Sequence, residues 1–407
     1  MQILIIGAGG VGSAAARIAS RRSFFETLTI ADYDPARPQQ LIEAIGDTRY
    51  AAAQVDASSE DSLVELIRST GATHVLNAVD PRFVMPIFNA CKTAGVTYLD
   101  MAMSLSQRHP EQPFAQTHIK LGDEQFAVAD EWERDGQLAL VGIGVEPGLS
   151  NVLARYAADE LFETIEELSV RDGANLGVEG YEFAPSFSIW TTIEECLNPP
   201  VMFDKAKGGW YTTAPFSEPI LFEFPEGIGE VECVNVEHEE VTMMPRWLDA
   251  QRVDFKYGLG NEFIEVLKTL NKLGLDSTDP VPVRGVQVSP RDVVAACLPD
   301  PATLGPLMKG KTCAGVLVTG TLKDGSTGSR YLYHVADNED TMARDDSQAV
   351  VWQTALNPVI ALELLANGTW SGAGVLGPEA FEATPFLDLL AAAEPAGYGS
   401  PWGIVEK

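Results

Sequence analysis

Positive charge is scarce in this chain: 28 Lys and Arg stand against 58 Asp and Glu in 407 residues, a formal net charge of −30. A field of that sign repels phosphate backbones and anionic lipid, so neither nucleic acid nor a membrane surface is expected as a partner. Cysteine is scarce too. Cys91, Cys196, Cys233, Cys297 and Cys313 are scattered, odd in number and never spaced C-x-x-C. That excludes a disulfide framework and a zinc ribbon, and the expected state is a reduced, cytoplasmic protein with no metal. No apolar stretch is expected to reach membrane-spanning length, and no basic region precedes the strand-like run at Gln2 to serve a signal peptide. G-x-S-x-G and H-E-x-x-H are missing, and hydrolysis of a nucleotide at a P-loop is not expected. Histidine occurs five times, which leaves few imidazoles for acid–base work.

The opening residues carry the strongest positive signal. The apolar run Met1 to Ile6 leads into Gly7-Ala8-Gly9-Gly10-Val11-Gly12 and then the small-residue segment Ser13 to Ala16. This is strand, G-x-G-x-x-G, helix. Gly7 permits the tight turn, Gly9 admits a pyrophosphate against the backbone, and Gly12 lets the helix lie close to the sheet. The helix start offers free N–H groups and the positive end of its dipole, with Gly10 and Val11 at that start. A second strand, Thr27 to Ala31, ends at Asp32, twenty residues after Gly12, where an acid binds the ribose hydroxyls of a dinucleotide. Asp32 would repel a 2′-phosphate, which favours NAD over NADP; Arg37 lies near enough to blur that preference.

Strand and helix alternate through the first half. Strands are expected at Tyr50 to Val55, His74 to Val79, Val96 to Asp100 and Leu138 to Ile143. Helices are expected after a cap at Ser58, over Phe83 to Ala94, and through Asp123 to Asp135. The reading is α/β, a Rossmann-type doubly wound parallel sheet over residues 1–145. Residues 146–345 read as an α+β substrate domain with a mostly antiparallel sheet. Extended stretches are placed near 180–190, 208–222 and 230–241, at Arg252 to Tyr257, and at Cys313 to Thr321. A hairpin turn falls at Lys323 to Ser326, and a helix over Asn261 to Leu273. Residues 346–407 read as a helical return, with Ala349 to Asn367 kinked or split at Pro358.

Cofactor and substrate should meet beyond the carboxyl ends of the parallel strands. Asn77, Ala78 and Val79 are then expected along the nicotinamide side and Asp56 at the adenine end. Asp80 and Asp100 end strands, where Asp also serves caps and turns. Glu146, in Glu146-Pro147-Gly148, sits at the mouth of the sixth strand, with Ser150 as the expected cap of the following helix. The second domain adds Glu194, His238 and His334 as acid or amine-binding candidates. Arg171 and Lys256 are candidate clamps for a carboxylate.

The ordered set I-I-G-A-G-G-V-G (Ile5–Gly12), V-L-N-A-V-D-P (Val75–Pro81), Y-L-D-M-A (Tyr98–Ala102) and G-V-E-P-G-L-S-N (Gly144–Asn151) resembles the saccharopine dehydrogenase family. So do F-P-E-G-I-G (Phe224–Gly229), V-N-V-E-H-E-E-V (Val234–Val241), F-K-Y-G-L (Phe255–Leu259), Q-T-A-L-N-P-V-I-A-L-E-L-L (Gln353–Leu365) and G-V-L-G-P-E (Gly374–Glu379). The family includes saccharopine reductases, carboxynorspermidine dehydrogenases and lysine 6-dehydrogenases. The resemblance implies a Rossmann domain, an inserted α+β domain, a C-terminal helical return, and hydride transfer at a C–N bond with NAD or NADP. Glu146 stands where the family more often has Asp, and Trp190 to Pro200 matches no one member closely. The expected substrate is an amino acid, polyamine or opine-like secondary amine, with Asp100, Glu146, Glu194 and His238 for amine binding or proton transfer. Two other readings remain open: a dehydrogenase of an alcohol or aldehyde on the same architecture, and a non-catalytic NAD(P)-binding regulator. A homodimer is the expected assembly.

Overall fold

The computed structural model describes residues 1–407, apart from the side chain of Ala302. Six strands open the chain: β1 (Gln2–Ile6), β2 (Thr27–Asp32), β3 (Tyr50–Gln54), β4 (His74–Asn77), β5 (Thr97–Leu99) and β6 (Leu138–Leu140). Eight follow: β7 (Phe162–Ala174), β8 (Val201–Asp204), β9 (Gly209–Thr212), β10 (Ile220–Phe224), β11 (Gly229–Asn235), β12 (Ala250–Gly258), β13 (Lys311–Leu322) and β14 (Thr327–Asp337). Two more, β15 (Gly374–Leu376) and β16 (Trp402–Glu406), come late. The helices that matter to the site are α1 (Gly10–Ser20), α2 (Leu149–Tyr156), α3 (Ile189–Leu197), α4 (Glu240–Trp247) and α5 (Ala349–Ala366).

The first sheet has seven strands in the order β15-β6-β5-β4-β1-β2-β3, all parallel. Strand order reverses between β1 and β4, which opens the crevice that binds dinucleotides in such sheets. The second sheet has nine strands. Its main path is β9-β8-β12-β7-β13-β14-β16, and the hairpin β10–β11 joins it through β12. It is mixed rather than purely antiparallel, because β12 and β7 run parallel.

The C-terminal return serves both halves. β15 adds to the parallel sheet and β16 to the second. Ahead of both, α5 lies on α1, whose Ala14, Ala15 and Ala16 are fully buried and so small that the two helices approach closely. The Arg22 guanidinium, just beyond α1, holds both oxygens of Glu363, at 2.8 and 2.7 Å.

Several local expectations need correction. Ser59, not Ser58, caps the helix Glu60–Thr70. The stretch Asp123 to Asp135 forms two short helices, Asp123–Phe126 and Ala129–Arg134. Residues 180–187 form no strand, and α3 follows from Ile189; the strand expected over 230–241 ends at Asn235. Gly148 rather than Ser150 precedes α2: a Cβ there would lie 2.0 Å from the Gly144 carbonyl oxygen, and Asn151 accepts from its N–H at 2.8 Å. Pro358 neither ends nor divides α5. By length and composition α5 is apolar enough to span a membrane, contrary to expectation, but 78% of it is buried in the protein, as a core helix would be.

The spelling G-x-x-x-x-G-K-T also occurs, at Gly305–Thr312. It runs from a 3-10 turn (Gly305–Leu307) through a two-residue strand (Met308–Lys309) into β13, so no helix N-terminus follows Thr312 and the segment is not a phosphate-binding loop.

Candidate active site

The glycine turn is shaped for a close ligand. Gly7 has φ +109°, and a Cβ on it would stand 2.5 Å from the Ala78 carbonyl oxygen. A Cβ on Gly12 would stand 1.9 Å from the Gly7 oxygen. Gly9 differs: nothing lies within 4 Å of where its Cβ would be, and no side chain caps α1 there. Space before an uncapped helix N-terminus, on a turn that tolerates no side chains beneath it, fits a dinucleotide diphosphate. Asp32 stands at the end of β2, where Oδ2 accepts from the Ala8 N–H at 2.8 Å and Oδ1 from the Asp34 N–H at 3.0 Å. Asn77 is buried and holds the turn after β4, donating to the Tyr98 hydroxyl at 3.0 Å and accepting from the Val79 N–H at 3.2 Å. Asp56 is exposed just past β3, where the preceding Val55 N–H donates to the Asp32 carbonyl at 3.1 Å, and it accepts from the Ser58 N–H and hydroxyl at 2.9 and 2.7 Å.

A cavity of about 310 Å³ opens from this cradle. Gly10, Val11, Asn77, Ala78 and Val79 form its cofactor end. Its other walls carry six acids, Asp80, Glu146, Asp172, Glu195, Glu239 and Asp300, together with His238. Among the described residues no Lys or Arg lines it.

Glu146 and His238 are therefore brought together, and five other candidates are not. Arg171 and Lys256 face the opposite side of the second sheet. Arg171 pairs there with buried Asp254 at 2.8 Å, and the Lys256 ammonium donates to Asn235 Oδ1 at 2.5 Å. They are cross-strand partners, and the next residues, Asp172 and Tyr257, form the next pair and line the cavity instead. Glu194 is engaged by Arg291 and by the Asn198 amide, at 2.9 Å from the latter, while its neighbour Glu195 faces the main cavity. Asp100 is wholly buried below the site. It accepts from the Gly142 N–H at 2.6 Å and the Gln125 amide at 2.7 Å, fastening the ends of β5 and β6. Burial lifts it to about 7 against those two bonds. His334 is a core pin between Ser400 (2.6 Å) and Gln353 (2.7 Å), pushed down to about 4 by burial.

Between β11 and α4 the run Glu237-His238-Glu239-Glu240 is buried at all four positions. The His238 ring lies flat on Phe255, centroids 3.9 Å apart and planes 7° from parallel. Its Nδ1 is 2.5 Å from Glu240 Oε2, and Glu240 Oε1 accepts from the Ser150 hydroxyl at 2.9 Å. Burial alone would lower the imidazolium, but the Glu240 carboxylate overrides it and holds His238 at about 10. Ligand atoms of His238, Glu239 and Glu240 lie within 4.8 Å of one another, a spacing metal sites also show; here Nδ1 is occupied by the carboxylate.

Opposite stands a carboxyl pair. Burial and the adjacent Asp172 push Glu146 well above its usual range, and burial lifts Asp172 to about 6. Glu146 Oε1 accepts from the Gly315 N–H at 3.2 Å, while Oε2 is buried with no partner. The two carboxyls are coupled and hold a proton between them that lies on the Glu146 side. Asp172 was missed by the sequence reading, and Glu195, Glu239, Glu240 and Tyr257 stood only as unassigned neighbours in the segments Ser186–Glu195, His238–Glu240 and Lys256–Gly258 that it marked. Strand alternation could have signalled Asp172 and Tyr257, since Leu168, Val170 and Phe255 are core residues of the same face.

A family model described as the saccharopine dehydrogenase NADP binding domain matches residues 3–140, and one described as the saccharopine dehydrogenase C-terminal domain matches residues 144–394. Carboxynorspermidine synthase of Vibrio cholerae is 31% identical over 416 residues, spanning 100% of this chain and 97% of that protein. Carboxyaminopropylagmatine dehydrogenase of Synechocystis is 28% identical over 402 residues, spanning 98% of this chain and 96% of that protein. The solved saccharopine dehydrogenase (L-Glu forming) of Saccharomyces cerevisiae superposes with a TM-score of 0.69 at 14% identity, covering 100% of this chain and 99% of that one; it bears on the fold alone.

Proposed function

The chain belongs to the saccharopine dehydrogenase family and is an NAD(P)-dependent oxidoreductase of CH–NH donors, and we propose that its substrate is a carboxylated polyamine. One observation carries the choice: six acids and, among the described residues, no Lys or Arg line the cavity. Such walls attract an oligocation and offer little to a substrate dominated by carboxylates. The names of both relatives denote carboxylated or carboxyaminopropylated polyamines, which supports the same class over lysine.

The reaction is R–CH=N–R′ + NAD(P)H + H⁺ ⇌ R–CH₂–NH–R′ + NAD(P)⁺, the imine arising from an aldehyde and a primary amine with loss of water. Gly9, Gly10, Val11, Asn77 and Ala78 would hold the dinucleotide, whose nicotinamide would supply or take the hydride. Ala78 and Val79 wall the space between the cradle and the acids and position the substrate carbon. Protonated Glu146 donates to the imine nitrogen, which makes the carbon a better hydride acceptor, and in the reverse direction Glu146 with Asp172 takes that proton back from the iminium left when hydride has gone from the neutral amine. His238, kept charged by Glu240, protonates the departing hydroxyl as the imine forms. Asp32 favours NAD, since its charge opposes a 2′-phosphate.

Three further proposals accompany this reading. The protein works in the cytoplasm, binds neither nucleic acid nor an anionic membrane, and forms a homodimer. The acidic excess supports the second, and the exposed Val281, Val283 and Val286 on the two-stranded ribbon at residues 281–288 support the third.

The test is absorbance of reduced nicotinamide with NAD or NADP against carboxylated polyamines, saccharopine, lysine and simple alcohols. Turnover of a carboxylated polyamine is expected. Turnover confined to saccharopine, lysine or an alcohol, or none across the panel, would overturn the proposal.

A further inference from the structure

The main cavity does not end at Glu195. A side chamber of about 20 Å³ continues from it, sharing Pro81, Ala102, Thr191, Glu195 and Glu239 as common walls. Its remaining lining is of two kinds. Met103, Leu105, Leu121 and Trp190 are apolar, and Glu194 and Glu237 are acids. A chamber of that size takes one water-sized group and no more.

The chamber acids are not alike. Glu194 is paired with Arg291, Glu237 accepts from the Ser106 hydroxyl at 2.8 Å, and Glu239 accepts from the Met103 N–H at 3.2 Å. The Glu195 carboxylate receives no hydrogen bond from any described residue, although it borders both spaces. The indole N–H of Trp190, a residue only 7% exposed, also has no partner. One acceptor and one donor are thus left unmet at the junction, and buried polar groups left unmet call for a ligand or water.

We propose that Glu195 is the specificity-determining residue for a second, distal ammonium of the amine substrate, which it seats in this chamber. The inference rests on the polyamine reading above. A methylene chain crosses the apolar walls while the reacting nitrogen lies at Glu146 and Asp172. The distal –NH₃⁺ is the one group the chamber holds, and it donates to Glu195. A monoamine of equal length would leave Glu195 unmet, so the site selects diamines over their monoamine isosteres. Burial lifts the Glu195 carboxyl to about 8, with Glu239 adding to the rise; a bound cation is what would let it ionise.

The test compares a three- or four-carbon α,ω-diamine with the monoamine of equal length. Each is offered with an amino-acid aldehyde and NAD(P)H, in wild type, Glu195→Gln and Glu195→Asp. Wild type is expected to favour the diamine. In Glu195→Gln the KM for the diamine should rise about ten- to a hundredfold with kcat nearly kept. The monoamine should be unaffected, and Glu195→Asp should restore part of the preference. Loss of kcat for both amines in parallel would mark a merely structural role and overturn the inference, as would a preference that survives in Glu195→Gln. If wild type turns over diamine and monoamine equally, the inference fails while the polyamine reading stands. If wild type condenses neither, the polyamine reading itself has failed.

Discussion

Replacing Gly9 with alanine separates ligand binding from folding more cleanly than any other change in this chain. Gly9 has φ −74° and ψ −166°, extended backbone that alanine adopts freely, and its Cβ would meet no atom within 4 Å. The folded protein should therefore keep or slightly raise its Tm, since alanine restricts the unfolded chain. The added methyl group would occupy the space a diphosphate takes against the start of α1. Losing one charge-assisted hydrogen bond there costs about 1.5–3 kcal/mol, so dinucleotide Kd should rise about 10- to 150-fold. Gly12→Ala is the contrast, because its Cβ would fall 1.9 Å from the Gly7 oxygen and must push α1 off the sheet. Overpacking of that kind costs about 1–3 kcal/mol or more, so Gly12→Ala should lower Tm as well as binding. Reduced-nicotinamide fluorescence titration gives Kd, and a thermal melt gives Tm. A Gly9→Ala protein that binds dinucleotide within twofold of wild type would refute the placement of the diphosphate.

Other outcomes follow from the site's charges. Glu240→Gln removes the carboxylate that keeps His238 protonated near pH 10, so the alkaline limb of kcat/KM should move down by at least about one pH unit; a limb that stays put removes His238 from the mechanism. Asp32→Ser should narrow or reverse the preference for NAD, read as the ratio of Kd values for the two cofactors, and an unchanged ratio would show that Asp32 does not set it. Stability should fall with rising pH. Asp100 and Glu379 at about 7, and Glu195 and Glu237 at about 8, hold protons in the folded state that the unfolded chain releases near its ordinary carboxyl range. Their contribution is full below that range and is lost as pH rises through 7 and 8. The urea midpoint should therefore drop from pH 5 to 9, less so in Asp100→Asn, and a midpoint that climbs over this interval would contradict the raised carboxyls.

The parallel sheet was legible in the sequence because its signals are local. Gly7, Gly9 and Gly12 need neighbours only a few residues away to show their purpose, and Asp32 follows at a fixed distance. The active site was half legible for a related reason. Glu146 and His238 sit on sharp transitions, one at a Pro-Gly turn and one between β11 and α4, and such positions stand out in a sequence. Arg171, Lys256 and Glu194 were each one residue from an inward-facing neighbour. Along β7 and β12 a single step changes the face, and which face held the cavity depended on what packed behind it: the ion pair Arg171–Asp254, invisible until two strands 83 positions apart came together in register. Asp100 misled for another reason. It ends a strand at the expected level, but Gly142 and Gln125 take up both its oxygens from segments that sequence spacing does not connect to it.

The late strands β15 and β16 set the tempo at which this molecule can be made. β15 completes the parallel sheet beside β6, more than two hundred positions upstream, and β16 then closes the free edge of β14. A ribosome has therefore made residues 1–373 before either sheet has its last strand, and until then β6 and β14 each present an unpaired backbone edge. Contacts so distant along the chain form slowly, and edges left open that long invite pairing with other nascent chains. Closure this late makes assembly of this protein a race between completion and aggregation.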